Sequence, residues 1–335
     1  MKSLKKILAV GLVLILALMS LTGCGTGNNG ETSDDAAADT VSEVINIAAL
    51  NGPTGMGMVQ LMEQTDKYNI TTYQAATDAV TKIIAGEADL AAVPSNMAAV
   101  LYNRTEGEVV AVSPIALGVL YILGNNTDVT ELADLKGKTI VASGQGGTPE
   151  YALEKILQEA GLKLYEDVQV EWMASHADVN AELLSQEGTI AMVPEPFVST
   201  ALSAGQDGVT EIFDLNSLWE EATGEAFPMG VLVARKDFAE NRAEDLAVFL
   251  KDYQASVDFV NGDSQNAAQM IVEEGFMADA AIAEQAIPRC NIVLYIGDKA
   301  EEGKNMLKTF NEIMYDMDPA SVGGNLPDED LYYAG

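Results

Sequence analysis

Four short turns carry the groups through which this chain can do chemistry: Asn51-Gly52-Pro53-Thr54-Gly55, Pro94-Ser95-Asn96, Ser143-Gly144-Gln145-Gly146-Gly147-Thr148 and Pro194-Glu195-Pro196. Each follows an apolar, strand-like run and precedes a helical one, so free amides, hydroxyls and positive helix ends gather at these points. Such groups bind small molecules. The candidate contacts are Asn51, Thr54, Ser95 and Asn96 on one wall, and Ser143, Gln145, Gly147, Thr148 and Glu195 on the other. Thr148 reads as a helix N-cap with Pro149 at the first helical position, and Ser95 as the cap of the helix after it. The glycine turn lacks the lysine of G-x-x-x-x-G-K-[ST] and does not fit G-x-G-x-x-G, which argues against a nucleotide. No turn contains Arg or Lys. The ligand is then neutral, or an anion met by amides and hydroxyls, or it carries a cationic group met by Glu195. The competing reading leaves these residues as turns and caps only.

Bond-making chemistry finds little support. His176 is the one histidine, set in the polar stretch Ser175-His176-Ala177-Asp178, where an exposed or capping role is expected. The cysteines are Cys24 and Cys290. A His/Cys metal site cannot be assembled from this set, and no cofactor is implied. Cys290 reads as a small buried hydrophobe.

Cys24 has a different role. Lys2, Lys5 and Lys6 precede an apolar run from Ile7 to Met19, and Leu21-Thr22-Gly23-Cys24 follows. This is the pattern of a bacterial lipoprotein leader spanning 1–23, cut before Cys24, which then carries palmitate-type acyl chains. The apolar run is shorter than the roughly 20 residues a membrane span needs. Two or three acyl chains at about 0.8 kcal/mol per buried methylene hold a protein stably on a membrane. Residues 24–43, rich in Gly, Asn, Ser, Asp and Ala, read as a flexible tether. Together these place the folded part outside the cytoplasm, anchored through Cys24. The charge excludes other partners. With 18 Lys and Arg against 51 Asp and Glu, the net charge is −33, and loss of the leader removes three more lysines. Nucleic acid and flat adsorption to anionic lipid are not expected.

Beyond the tether the pattern alternates between strand and helix, which implies largely parallel sheets covered by helices, with ligands at the carboxyl ends of the strands. Val44 to Leu50, Tyr68 to Gln74 and Asp89 to Val93 are strand-like in the first run. Lys138 to Ser143, Val168 to Met173 and Thr189 to Val193 are strand-like in the second. After a strand near Met229 to Ala234, long helices follow, one with Leu246, Phe249, Leu250, Tyr253, Val257 and Val260 on a single stripe.

Asp134-Leu135-Lys136-Gly137-Lys138-Thr139-Ile140-Val141, with its glycine turn and the helix ending in Ala160-Gly161-Leu162, resembles the second lobe of ABC-importer substrate-binding proteins of the nitrate, sulfonate, taurine and thiamine-pyrimidine type. Ala85-Gly86-Glu87-Ala88-Asp89-Leu90-Ala91, Glu195-Pro196 and Phe227-Pro228 with Val231-Leu232-Val233-Ala234 are similar to further motifs of that family. The resemblance implies an α/β, two-lobed type II periplasmic-binding-protein fold, each lobe a mostly parallel sheet flanked by helices with the ligand cleft between them. Residues 44–135 with 227–335 form lobe 1 and 136–226 form lobe 2, with crossings near Leu135 and Phe227. It also implies a monomer that captures a small polar organic solute by hinge closure and delivers it to an ABC permease, without catalysis. The alternatives are an anchored sensor or scaffold for a protein partner, and a secreted enzyme on the same scaffold. On the lipoprotein reading, Cys24→Ser leaves the fold intact and moves the protein out of the membrane fraction; a variant that stays in membranes after a high-salt wash contradicts it.

Overall fold

Ile, Val and Ala runs bounded by glycine and proline form the central strands, because branched side chains pack well on a pleated surface and the breakers end each run. The computed structural model describes residues 40–204 and 207–333. The leader, Cys24 and the tether up to residue 39 lie outside the described residues. In chain order the strands are β1 (Ile45–Leu50), β2 (Tyr68–Tyr73), β3 (Leu90–Pro94), β4 (Val109–Leu117), β5 (Leu120–Asn125), β6 (Thr139–Ser143), β7 (Gln169–Met173), β8 (Ile190–Pro194), β9 (Val209–Asp214) and β10 (Pro228–Arg235). The helices of the first half are α1 (Pro53–Met56), α2 (Val59–Met62), α3 (Ala76–Ile84), α4 (Ser95–Arg104), α5 (Thr148–Glu159) and α6 (His176–Ser185). They continue with α7 (Phe197–Ser203), α8 (Leu215–Thr223), α9 (Lys236–Asn241), α10 (Ala243–Gly262), α11 (Ser264–Glu273), α12 (Ala280–Ala286) and α13 (Ala300–Met317).

The strands make two mixed sheets, ordered β2-β1-β3-β10-β4 and β7-β6-β8-β5-β9. In each, three neighbouring strands run parallel and the fourth runs against them: β10 is antiparallel to β3 and β4, and β5 to β8 and β9. Both reversed strands arrive from the opposite half of the chain. The first passage therefore lies between Leu117 and Leu120, upstream of the expected Leu135, because Leu120–Asn125 is a fully buried strand of the second sheet. The second lies between Thr223 and Pro228, at the expected Phe227. A continuous run such as LYILGN shows no alternation, so a strand buried on both faces looks from sequence like any apolar segment.

The α10 stripe packs beneath the first sheet with α11, α12 and Cys290. A second core runs through both sheets and includes Val93, Ile140, Met192, Trp219 and Phe310. At the second passage Trp219 of α8 stacks on Phe227 at 4.6 Å, with Phe310 of α13 against Trp219 at 5.8 Å. Each fully buried large apolar side chain is worth about 1.5–3 kcal/mol, so this cluster ties the halves together where the chain returns. Two ends of the described chain are also fastened. Ser42, placed in the tether by sequence, donates to Asp245 through both its amide and its hydroxyl at 2.7 Å. Beyond α13, Asn103 donates to the Val322 and Asn325 carbonyls, and Tyr333 N–H to Ala111 O.

At the first passage the Asn216 carboxamide oxygen accepts from Leu120 N–H at 3.1 Å and lies where a Gly118 side chain would sit. Asn216 is itself held by Asp214 and cannot retreat freely. Gly118→Ala is expected to cost about 1–3 kcal/mol by overpacking, read as a lower urea midpoint with an unchanged slope.

Candidate functional site

The expected contacts sit at the carboxyl ends of β1, β3, β6 and β8, on edges of the two sheets that face one another. Asn51 closes the end of β1, its N–H donating to Tyr73 O at 2.9 Å, and Thr54 is buried in α1. Ser95 and Asn96 open α4 and are buried at 0% and 1% exposure. Ser95 is not a cap: Pro94 holds that position, and the Ser95 hydroxyl has no hydrogen-bond partner. A buried hydroxyl left unpaired costs about 1–3 kcal/mol, so it marks a place where a further polar atom is wanted.

Across from it, Ser143 ends β6 and the glycine turn leads into α5. Gly144 and Gly146 take φ of 90° and 75°, a region open to glycine, and Gly147 N–H donates back to Gly144 O at 3.1 Å. Gln145 is exposed and Gly147 half-buried. Thr148 is not the cap either. Gly147 takes that role, and the fully buried Thr148 hydroxyl donates to Asn96 Oδ1 at 3.1 Å. Two residues read independently as ligand contacts, 52 positions apart, thus meet directly from opposite sheets. Asn96 is held from behind, its Nδ2 donating to Ser321 O at 3.0 Å.

Glu195 departs from expectation. Its turn contains no cation, but Arg289, from the segment after α12, donates through Nε to Glu195 Oε1, and Ser199 N–H donates to Oε2 at 3.1 Å. Both oxygens are taken, so Glu195 stands behind the wall. Burial pushes its pKa up, and the Ser199 amide and Arg289 oppose that shift. Arg289 also reaches Glu211 at 2.7 Å and lies over the Tyr121 ring at 4.3 Å. Stranding one member of such a pair typically costs about 3–5 kcal/mol. Another carboxylate occupies the glycine turn, where Gly146 N–H donates to Glu150 Oε2 at 2.6 Å.

His176 was expected to be exposed or capping. Ser175 is the cap, accepting from Asp178 N–H. The half-buried His176 ring lies with Nδ1 2.5 Å from Ser143 Oγ and its face 5.6 Å from Phe197. Three second-sheet turns therefore converge on one imidazole. The β7–α6 turn that supplies it belongs to the same class as the four selected from sequence, and only its polar composition hid it. Arg289 had no local signal.

A hollow of about 440 Å³ lies elsewhere, lined by Val44, Met62, Tyr68, Asn69 and Glu274 among others. It flanks the outer strand β2, where no set of helix ends converges. The facing turns hold the polar groups a solute needs.

Residues 59–278 match the family model of the phosphonate periplasmic substrate-binding proteins of ABC transporters. The chain belongs to this family. Solved structures agree in fold. An ABC transporter protein from Parabacteroides distasonis is 22% identical with a TM-score of 0.72, over 87% of this chain and 99% of that one. The aliphatic sulphonate binding protein SsuA from Escherichia coli is 19% identical with a TM-score of 0.64, over 84% and 90%. The alkanesulfonate-binding protein SsuA from Xanthomonas axonopodis pv. citri, bound to MOPS, is 13% identical with a TM-score of 0.66, over 88% and 99%. No curated protein sequence matches. The protein is accordingly a substrate-binding protein of an ABC importer, of the type II fold. Among the described residues no helix is long and apolar enough to cross a membrane.

In this substrate-binding protein desolvation lowers the His176 pKa from 6.5 to about 4. The unfolded chain then takes up the proton first as pH falls, so stability declines from about pH 6.5 to about pH 4 and levels off below. At about 1.36 kcal/mol per unit the loss has a ceiling of about 3 kcal/mol. His176→Gln is expected to flatten this limb in urea unfolding followed from pH 7 to pH 4; an unchanged slope would assign the loss to other groups.

Proposed function

We propose that this protein is the lipid-anchored, extracytoplasmic receptor of its importer. It captures a small polar organic solute, neutral or zwitterionic, between the two sets of strand-end turns, and passes it to the permease. Asn51, Thr54, Ser95 and Asn96 form one wall, and Ser143, Gln145, Gly147 and Thr148 the other, with His176 beside Ser143. Glu195 braces the second wall. Closure by lobe rotation brings the walls together, and a solute touching both stabilises the closed form through its differential affinity for it.

The observation that carries this reading is the buried Thr148–Asn96 bond beside the unpaired Ser95 hydroxyl, since a solute entering there finds donors and acceptors from both walls. The choice of solute charge rests on the carboxylates. Phosphonates in the family's description and the sulfonates of two structural neighbours are oxyanions that favour helix-end amides. Here Glu150 already sits on the Gly146 amide and Glu195 on the Ser199 amide, and Arg289 is committed to two carboxylates.

Native mass spectrometry of protein purified from its host's membranes is expected to show a retained neutral or zwitterionic solute. Calorimetric titration with methylphosphonate or methanesulfonate is expected to give no heat of binding, and tight binding of either overturns the charge assignment. Thr148→Val removes one hydrogen bond of about 0.5–1.5 kcal/mol while keeping shape. It should weaken the retained solute by more than that stability loss explains, whereas unchanged affinity would leave Thr148 as a packing residue.

A further inference from the structure

Arg289 belongs by chain to the first lobe. Directly after it, Leu117 N–H donates to Asn291 O, Val293 N–H donates to Ile115 O, and Ile292 bridges Ala116, so residues 291–293 run along β4. Ile287, Cys290 and Ile292 are buried in the core beneath the first sheet. Its partners all belong to the second lobe. Glu195 ends the β8 turn, Glu211 lies in β9 and Tyr121 in β5. The guanidinium thus lets a single side chain of the first lobe be held by three elements of the second.

The hold is demanding in geometry. The Glu195 carboxylate is fully buried, and its second oxygen is fixed by the Ser199 amide, so it cannot follow a moving partner. A planar guanidinium bonded through two different nitrogens to two carboxylates and seated on a ring is tightly restricted in orientation. Rotation of one lobe about the passages at 118–119 and 224–227 breaks at least one of these contacts. In the same arrangement the Thr148 hydroxyl donates to Asn96 across the two sheets.

Building on the proposed cleft, we propose that Arg289 is the latch that holds the two lobes together in the closed form. It is a positioning residue: of the candidate contacts read from sequence it touches only Glu195, which stands behind the wall, and it acts by fixing the second lobe against the segment along β4. Solute entry then requires release of the latch, and solute exit to the permease requires it again.

Hydrogen exchange of the full chain, refolded from denaturant to strip any retained solute, tests this without a ligand. Arg289→Met combined with Glu195→Gln removes the ion pair without stranding a buried charge. Exchange is expected to rise at least about tenfold at residues 95–99 and 148–152, the facing helix starts, while β1 and β6 stay protected. Glu211→Gln, which keeps the buried pair, is expected to give the same pattern at smaller amplitude. A local structural role for Arg289 would raise exchange only around 195–199 and 209–214, and that result overturns the proposal. A uniform rise that includes β1 and β6 in both variants overturns it as well, because it reports loss of the fold rather than opening. Failure of the solute reading shows separately, as an absence of retained solute, and leaves the exchange pattern unaffected.

Discussion

Each sheet of this protein borrows its reversed strand from the other half of the chain, and the rest of the architecture depends on that exchange. β5 carries the chain into the second sheet and β10 brings it back into the first. Two covalent passages set side by side permit one lobe to rotate on the other and forbid the lobes from parting. The strand ends that face across the gap are therefore always the same ones. On the proposed function, a binding site made of turns from both sheets opens and closes without losing register.

Electrostatics then refines what the topology permits. The chain carries a strong excess of acid, and two of its carboxylates are spent on amides near helix starts, a kind of group that also suits oxyanions. Glu150 and Glu195 differ in cost. Glu150 is half-buried and accepts from a neighbouring turn amide, whereas the Glu195 carboxylate is fully buried and depends on Arg289 for its charge to be tolerated. That dependence links the turn after β8 to the segment that follows α12, beside the first passage between the sheets.

Much of this was legible in the sequence because period-two and period-3.6 patterns, turn residues and their order suffice to place strands and helices. β1, β3, β6 and β8 and the turns after them fall where the pattern puts them, and Phe227 marks the return. What escaped did so for physical reasons. β5 is buried on both faces and shows no alternation, so the first passage shifts from Leu135 to Gly118. Thr148 and Ser95 have the residue type of caps, but adjacent Gly147 and Pro94 hold the cap positions, and which hydroxyl bonds the backbone is decided by tertiary packing. Arg289 meets Glu195 across 94 residues, a pairing that no local window contains. His176 was placed on the surface by the polarity of its neighbours, yet the next helix start, with Phe197, covers it.

The fastening of Asn96 by the Ser321 carbonyl spans 225 residues. One wall of the cleft is therefore finished only by a segment close to the carboxyl end. A chain that emerges in order, amino end first, can build both sheets' parallel cores before this contact exists. The proposed recognition surface is then the last part of the protein to be completed. Shortened chains that lack the residues after α13 would lose the orientation of the asparagine that faces Thr148, together with the core contacts of Val322 and Leu331.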